Sequence, residues 1–324
     1  MKIKLHLWLK IAIAVAVAVV LIGSVSYFSW WQNNIHDRLL SKGEGEDPAL
    51  VGVIEGSGEG ALKGAMGLAL DSKGNFYVAN GETNIVVVLD RKGKLLRTIG
   101  KDEQGLSLLK FPTSVAIGPQ GQVYVANFGG EGLLVFDSQG RLQGSLPQAQ
   151  DRALVQKFKP LAVATDSAGN IYAADGEQHK VFVFNAQGRL TLAFGSKGSG
   201  ANQFSFINGL VVDEKHRQLI IVDSNNLRLS LYNYQGRLIR QVSCQEKGTN
   251  LMVAPRGIAW NPAKDELYVV DALKDSVLVL QEDGRLISEF GYKSLSYPIG
   301  IVRDKEGYIY VTNRENNRIS VFKQ

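Results

Sequence analysis

A short pattern recurs six times along the chain and limits its possible folds more than any other feature. Each copy places a small residue within an apolar run, and these small residues are Gly67, Ser114, Ala162, Gly209, Gly257 and Gly300. Successive copies lie 47, 48, 47, 48 and 43 residues apart. Spacing in this range is typical of repeat architectures in which each unit is a small sheet. The chain is therefore interpreted as six copies of one unit.

Each unit contains short runs with the composition of strands. The second run of each unit is "NFYVAN", "QVYVAN", "NIYAAD", "QLIIVD", "ELYVVD" or "YIYVTN". Such runs are rich in β-branched and aromatic residues and are bounded by Gly, Asn and Asp, which favour turns. No sustained helical period follows residue 50. Four strands repeated every 40 to 50 residues or so predict an all-β fold, a six-bladed β-propeller with four-stranded blades.

The tripeptide Gly-Arg-Leu marks the start of the fourth strand in most units. It occurs at 140–142, 188–190, 236–238 and 284–286, with a looser copy at 93–95. The glycine is predicted to adopt a positive φ in the hairpin between the third and fourth strands. No copy follows "ISVFK" at the C-terminus, while "ALVGVIEGSGEG" precedes the first unit. We therefore predict that residues 50–54 pair with the C-terminal strand and close the ring.

Two side-chain types recur at equivalent places of the second strands. Tyrosine occupies one place in five units, with Ile220 in the remaining one, and is predicted to pack between neighbouring blades. An amide or carboxylate ends each of these strands: Asn80, Asn127, Asp175, Asp223, Asp271 and Asn313. Because the pattern is the same in all six units, it favours hydrogen bonds to backbone N–H groups of the following turn over a cation site.

Two segments carry a resemblance to a known family. The segments "YIYVTNRENNRISVF", residues 308–322, and "LIIVDSNNLRLSLY", residues 219–232, resemble the NHL repeat. The glycine-rich "FGSKGSGANQFSF" resembles the loop between blades of that family, and the likeness extends over residues 49–324. The resemblance implies a six-bladed propeller. It leaves function open, because such propellers include ligand-binding sensors, RNA-binding domains, scaffolds, lyases and hydrolases.

The N-terminal region predicts a membrane anchor. Residues 11–29 carry no charge, are long enough to cross a bilayer of about 30 Å, and precede Trp30 and Trp31. Lysines before this segment predict a cytoplasmic N-terminus in a single-pass protein of the cell membrane, with the propeller outside. The predicted division is a tail and transmembrane signal-anchor, 1–31, a linker, 32–48, and the propeller, 49–324. A cleaved signal peptide, cut before Tyr27, is the alternative, and it also exports the propeller.

Few residues in the predicted propeller suit catalysis or metal binding. Cys244 is the only cysteine, and His179 and His216 are the only histidines beyond the linker. These histidines fall in turns on opposite rims, so they cannot share a metal ion, and both are expected at the surface. No Gly-x-Ser-x-Gly sequence is present. We predict a protein that is not an enzyme and needs no metal or cofactor, with a hydrolase or lyase of the wider propeller group as the alternative.

The distribution of charge argues against nucleic-acid binding. The formal net charge is +5 over 324 residues, and no basic run or stripe accompanies it. A nucleic-acid site requires clustered Lys and Arg to neutralise phosphates. We therefore expect no nucleic-acid partner.

The repeat loses its regularity at the predicted channel mouth, which makes that face the candidate binding site. The predicted site residues lie at the start of the first strands and in the loops after the second strands: Thr113, Phe128, Asn208, Arg256 and Arg314. Arginines from adjacent blades, a polar amide and an aromatic ring suit an anionic or polar partner. We predict a monomeric scaffold or sensor that binds a protein, peptide or glycan on the outer face of the membrane.

Overall fold

The computed structural model describes residues 48–130, 132–152, 157–246 and 248–324, and these form a ring of six four-stranded antiparallel sheets. The predicted all-β propeller with four-stranded blades is therefore confirmed. Within these ranges no helix is long and apolar enough to span a bilayer. The predicted transmembrane segment, residues 11–29, lies outside the described residues.

The blades follow one another along the chain. Blade 1 contains β2 (Ala65–Leu70), β3 (Phe76–Asn80), β4 (Ile85–Leu89) and β5 (Leu95–Ile99). Blade 2 contains β6 (Pro112–Ile117), β7 (Val123–Asn127), β8 (Leu133–Phe136) and β9 (Leu142–Leu146). Blade 3 contains β10 (Pro160–Thr165), β11 (Ile171–Asp175), β12 (Lys180–Phe184) and β13 (Leu190–Phe194). Blade 4 contains β14 (Ile207–Asp213), β15 (Gln218–Asp223), β16 (Arg228–Asn233) and β17 (Leu238–Ser243).

The last two blades complete the ring after a small hairpin, β18 (Gln245–Glu246) and β19 (Thr249–Asn250). Blade 5 contains β20 (Pro255–Asn261), β21 (Glu266–Asp271), β22 (Ser276–Gln281) and β23 (Leu286–Phe290). Blade 6 contains β24 (Pro298–Arg303), β25 (Tyr308–Asn313) and β26 (Arg318–Lys323), with β1 (Ala49–Ile54) as its outer strand. Three 3-10 turns, Gly58–Gly60, Ala149–Asp151 and Ser224–Asn226, are the helical segments of the described chain.

The ring closes as the missing sixth copy predicts. β1 pairs antiparallel with β26, from Ala49 opposite Lys323 to Ile54 opposite Ile319. The first and last strands of the propeller thus share one sheet, and the last blade has no uncovered edge on its third strand.

The direction in which the chain runs through each blade distinguishes two faces of the propeller. We call the upper face the one that carries the turns between second and third strands and the loops between blades. The lower face carries the turns between first and second strands and those between third and fourth strands. The first strands contact one another around the central channel.

The first strands need small residues because they lie close together around the channel. A Cβ atom at Gly67 would lie 2.8 Å from Cα of Ser114 in the next blade. At Gly209 it would lie 2.4 Å from the carbonyl oxygen of Arg256, and at Gly257 2.6 Å from that of Ile299. Backbone atoms at these distances cannot yield, so a larger residue would force adjacent blades apart.

The core consists of six apolar clusters, each between two neighbouring blades. Because both faces of a blade pack against neighbours, its central strands are buried along their full length, as in β3 and β4. The tyrosines of the second strands lie in these clusters, and Ile220 takes their place between blades 4 and 5. Their predicted packing between blades is confirmed.

The Gly-Arg-Leu turns have the predicted backbone and an additional contact. The five glycines, Gly93, Gly140, Gly188, Gly236 and Gly284, have φ values of 80°, 87°, 75°, 69° and 89°. Each also packs on the outer strand of the preceding blade, since a Cβ atom at Gly140 would lie 2.9 Å from the Ile99 side chain. Glycine is therefore required both by its backbone conformation and by the close approach of two blades.

Candidate functional site

A β-bulge opens the first strand of every blade at the upper face. In blade 2, Pro112 pairs with Asn127 and Ser114 with Ala126, which leaves Thr113 between them without a partner. Equivalent register shifts occur in the other five first strands. Thr113, Asn208 and Arg256 all lie in such bulges. A bulge redirects its side chain, and these bulges place the predicted residues at the channel mouth.

Two of the predicted site residues line one small cavity in the channel. Thr113 and Asn208 border a cavity of about 90 Å³ together with small residues of the first strands. The Thr113 hydroxyl is buried and donates a 2.9 Å hydrogen bond to the carbonyl of Leu161 in the next blade. The Asn208 amide donates to Oγ of Ser224 at 2.7 Å, and that hydroxyl donates to the carbonyl of Pro255. Thr113 therefore links blades 2 and 3 directly, and Asn208 supports the link that Ser224 makes from blade 4 to blade 5.

The aromatic part of the predicted site is divided between two sectors. Phe128 extends over blade 3, because a Cβ atom at Gly176 would lie 3.2 Å from its Cε2. Phe111 extends over blade 1, where a Cβ atom at Gly81 would lie 3.4 Å from its Cε2. Glycine in these two turns makes room for the rings.

Arg314 crosses the blade 1 sector of the channel mouth. Its Cζ lies 6.0 Å from the centre of the Phe111 ring, a cation–π contact between blade 6 and blade 2. The sequence did not predict Phe111 at the site. Phe111 has a left-handed φ of 47°, and its N–H donates to Oδ1 of Asn84 at 2.7 Å. A strained aromatic residue is thus held in place by a side chain of the preceding blade.

Arg256 and Arg314 have no carboxylate partner in the described part of the chain. Neither forms an ion pair there, although seven other basic side chains do. They belong to adjacent blades, 5 and 6, and both lie at the upper face, half-buried. Each guanidinium group is therefore available to an anionic group of a partner.

Exposed apolar side chains lie next to Arg256 on the same sector. Val253, in the loop before blade 5, is 55% exposed, and Leu273, in its upper turn, is 60% exposed. Both backbone N–H groups donate to the Asp271 carboxylate, at 2.6 and 3.3 Å, which brings the two segments together. The sector therefore combines apolar and cationic surface.

The amides and carboxylates that end the second strands are structural, as predicted, but most of them hold a different segment. Asn80, Asn127 and Asn313 accept hydrogen bonds from N–H groups 17 residues earlier, in the loop before the first strand of the same blade. Asp175 accepts both from Lys159 and from the following turn. The prediction of bonds to the following turn alone is therefore incomplete, because the loop that enters the blade lies equally close.

His179 is not the surface residue that the sequence predicts. It is 9% exposed, and its Nδ1 accepts a hydrogen bond from the N–H of Phe206 in blade 4. His216 does lie on the opposite, lower face, and its side chain is 37% exposed. The prediction that the two histidines cannot share a metal ion is confirmed by this placement.

A cluster on the lower face of blades 4 and 5 was missed in the sequence. Asp213, His216 and Glu282 offer ligand atoms within 4.8 Å of one another, a set suited to a divalent cation. Nδ1 of His216 lies 2.7 Å from Oδ2 of Asp213, and the Gln218 amide donates to both carboxylates. Each carboxylate thus already has a hydrogen-bond donor. Glu282 lies 66 residues from His216 along the chain, and no spacing rule connects them.

Comparison with known proteins supports the fold. A family model described as a 6-bladed beta-propeller matches residues 148–247, and the NHL repeat model matches residues 295–322. The chain is a six-bladed β-propeller with an NHL repeat in its last blade. None of the curated proteins compared with it matches in sequence.

Solved structures share the propeller at low identity. Virginiamycin B lyase from Staphylococcus aureus, in an inactive form with quinupristin, is 15% identical, with a TM-score of 0.59 and 80% coverage of both chains. A gluconolactonase from Xanthomonas campestris is 11% identical, with a TM-score of 0.64, over 87% of this chain and 96% of that one. Hydrazine synthase from Kuenenia stuttgartiensis is 12% identical, with a TM-score of 0.57, over 81% and 96%. At this identity the likeness concerns the fold.

Proposed function

We propose that this NHL propeller is a binding module whose upper face holds an anionic partner. The observation that carries the proposal is the pair Arg256 and Arg314, on adjacent blades and without a carboxylate partner in the described chain. A partner carboxylate or phosphate supplies the charge-assisted hydrogen bonds that these groups lack. A scaffold or sensor role follows from a rigid ring that displays one irregular face.

A protein or peptide fits this face better than a glycan. The exposed side chains of Val253 and Leu273 add apolar surface beside Arg256. Interfaces with polypeptides combine a desolvated apolar centre with arginine at its margin. An acidic segment that carries an aliphatic or aromatic side chain therefore matches the blade 5 sector.

The size of the channel favours binding at the surface. Its cavity of about 90 Å³ is smaller than the roughly 300 Å³ at which small-molecule pockets begin. Backbone atoms of adjacent blades border it closely, so it cannot widen without separating the blades. A partner that rests on the mouth requires no such change.

In this proposal the propeller binds its partner on the outer side of a membrane. Residues 11–29 would cross the bilayer and residues 32–48 would hold the propeller away from it. Protease treatment of intact cells tests this: the propeller should be accessible from outside and remain in the membrane fraction after a carbonate wash. Protection from the protease in intact cells contradicts the proposed location.

Binding is tested with a fluorescent oligoglutamate peptide and with crosslinking in intact membranes. The full-length chain with Arg256→Ala and Arg314→Ala should bind the peptide roughly tenfold to a hundredfold more weakly, as expected for loss of two charged hydrogen bonds. The matched control is Arg141→Ala with Arg285→Ala, the same change in charge on the lower face. Equal affinity of the two double variants contradicts the proposal.

A hydrolase or lyase is the second candidate. One observation favours it, the cluster of Asp213, His216 and Glu282 on the lower face. Metal analysis of the purified full-length protein separates the candidates. Stoichiometric zinc or calcium that is lost in His216→Ala supports an enzymatic or metal-dependent role, and a metal-free protein that binds its partner supports the binding module.

A further inference from the structure

A second cavity lies far from the channel mouth, in the outer groove between blades 2 and 3. Its volume is about 320 Å³, within the range of small-ligand sites. Four glutamines border it, Gln122, Gln143, Gln148 and Gln187, together with Tyr124. None of the residues that border it is charged. The groove is a neutral surface rich in hydrogen-bonding groups.

In two other blades an arginine occupies the corresponding place. Arg97 pairs with Val88 and Arg240 with Leu231, each at the third position of its outer strand. Nη2 of Arg97 donates to the Tyr77 hydroxyl and to the carbonyl of Ser138, both at 2.7 Å. Nη2 of Arg240 likewise donates to the carbonyl of Glu282 at 3.0 Å. Both guanidinium groups thus reach the lower turn of the next blade.

Blade 2 lacks this arginine but keeps the groups that would receive it. Gly144 pairs with Val135 at the equivalent position, and a Cβ atom there would have nothing within 4 Å. Tyr124 corresponds to Tyr77, and Ala186 holds the place in its turn that Ser138 holds in blade 2. Tyr124 and Ala186 both border the cavity. The cavity is therefore an arginine site without its arginine.

Tyr124 is a buried side chain whose hydroxyl lacks a partner. It is 5% exposed, and in the described part of the chain its hydroxyl forms no hydrogen bond. The other four tyrosines of this ring bond to Arg97, Asp166, Glu266 and Asp304. Blade 2 has Gly118 at the place of Asp71, Asp166 and Asp304, so the acid is missing as well as the arginine. Tyr124 borders the cavity, so its free hydroxyl can accept a hydrogen bond from a ligand or from water there.

We propose that this groove binds a guanidinium group, the arginine side chain of a partner polypeptide, in the position that Arg97 fills in blade 1. The Tyr124 hydroxyl and the Ala186 carbonyl accept from it, as their counterparts accept from Arg97. The glutamine amides add neutral acceptors around a planar group with five donors. No cation borders the groove to repel it. The site is separate from the upper face, so either proposal can fail alone.

The test compares acetyl-Gly-Arg-Gly-amide with its citrulline analogue, whose neutral urea has nearly the same shape. Binding to the purified full-length protein is followed by calorimetry. The arginine peptide should bind at least about tenfold more tightly, because charge-assisted hydrogen bonds exceed neutral ones. Equal binding of the two peptides, or tighter binding of maltose than of the arginine peptide, overturns the proposal.

Substitutions in the groove test whether the arginine peptide binds there. Gly144→Arg should abolish it, because the new guanidinium occupies the groove, while Gly144→Ala should retain it. Both variants carry the same backbone cost at a φ of 152°, so the comparison isolates the guanidinium group. Tyr124→Phe should weaken binding by roughly twofold to tenfold, the loss of one hydrogen bond. Unchanged binding in Gly144→Arg contradicts the site.

A gain of binding provides an independent measurement if Gly144→Arg fails to fold. Arg97→Ala empties the corresponding place in blade 1 and frees Tyr77 and the carbonyl of Ser138. The number of arginine peptides bound per chain should rise from one to two. A stoichiometry that stays at one in Arg97→Ala means that these acceptors do not make a guanidinium site.

Discussion

Nδ1 of His179 accepts a hydrogen bond of 3.0 Å from the backbone N–H of Phe206, and this bond joins blade 3 to blade 4. The same connection recurs elsewhere in the ring with other acceptors. Oδ1 of Asn84, Asp275 and Asn317 accepts from the N–H of Phe111, Tyr297 and Gly64, at 2.7, 2.7 and 2.8 Å. All four acceptor residues have φ between 51° and 58°. His179 is thus the histidine member of a series of links between blades.

We predict that the link at His179 makes stability depend on pH. To accept at Nδ1 the ring must be neutral, and burial, together with the positive charge of Lys197, lowers the pKa of His179. Between the lowered pKa of the folded state and the ordinary pKa of the unfolded state, His179 is therefore protonated in the unfolded chain and neutral in the folded protein. The free energy of unfolding should be constant above about pH 6.5 and fall below it, by at most about 1.4 kcal/mol per pH unit for this one group.

Urea denaturation between pH 7.5 and pH 5 or so measures this effect. His179→Asn is the matched control, because asparagine accepts the same hydrogen bond at Asn84 and Asn317 and tolerates a left-handed φ. The variant should lose the part of the pH dependence that belongs to His179. Equal slopes in the two proteins would show that the link does not titrate.

We predict that ring closure by β1 is a large part of the stability. Ile54 is buried against Ile319 in the cluster between blades 6 and 1, whereas Val51 of the same strand is exposed. Ile54→Ala should lower the free energy of unfolding by about 2–4 kcal/mol, and Val51→Ala by less than about 1 kcal/mol. Deletion of residues 49–55 should lower the melting temperature much further, since it uncovers β26. An unchanged melting temperature contradicts the closure.

We predict that Asp271 acts through its oxygen atoms and not through its charge. Its carboxylate accepts from the N–H groups of Val253, Ala254, Leu273 and Lys274 at 2.6 to 3.3 Å. Asp271→Ala leaves buried donors unsatisfied and should cost roughly 2–4 kcal/mol. Asp271→Asn should cost less than Asp271→Ala, roughly 1–2 kcal/mol, because the amide keeps one accepting oxygen while its NH2 group replaces the other and faces a backbone N–H. Chemical denaturation measures the free energy of unfolding of both variants. Equal losses of this free energy in the two variants would show that the charge of Asp271, and not its oxygen atoms, is what stabilises the fold.

We predict that the thiol of Cys244 is unreactive in the folded protein. Its side chain is buried beside Gly284, and burial raises the pKa of the Cys244 thiol to about 12. Because the thiolate is the reactive form, Ellman's reagent at about pH 8 should leave the native protein unmodified for as long as it stays folded. In denaturing guanidinium chloride one thiol per chain should react at once. Rapid reaction without denaturant would contradict the burial.

Features that lie within one blade could be predicted from the sequence. The six copies, the strands, the glycine turns and the closing strand all follow from short patterns that repeat, since hydrophobic period and turn chemistry are local. The candidate arginines were found for the same reason, as departures from the repeat at Arg256 and Arg314. Arg256 lies in the bulge of a first strand, a position that the repeat marks, and Arg314 lies in the turn after a second strand.

Polar contacts between particular residues of two blades could not be predicted. The burial of His179 depends on Phe206, 27 residues away, and the cluster at Glu282 depends on Asp213. Nothing in the sequence distinguishes Gly144. Its importance is seen only when blade 2 is compared with blade 1, where Arg97 occupies the same position and donates to Tyr77. A single sequence shows where one repeat differs from the others, but it does not show which residue of the neighbouring blade lies opposite that position.

The sequence alone therefore determined the ring, its number of blades and how it closes, because these rest on patterns repeated along the chain. Only the tertiary structure decided which polar groups find partners. Hydrogen bonding in a propeller is settled between neighbouring blades, where residues distant in sequence meet. The guanidinium groups of Arg256 and Arg314 and the hydroxyl of Tyr124 are three groups that the described residues leave available to a ligand.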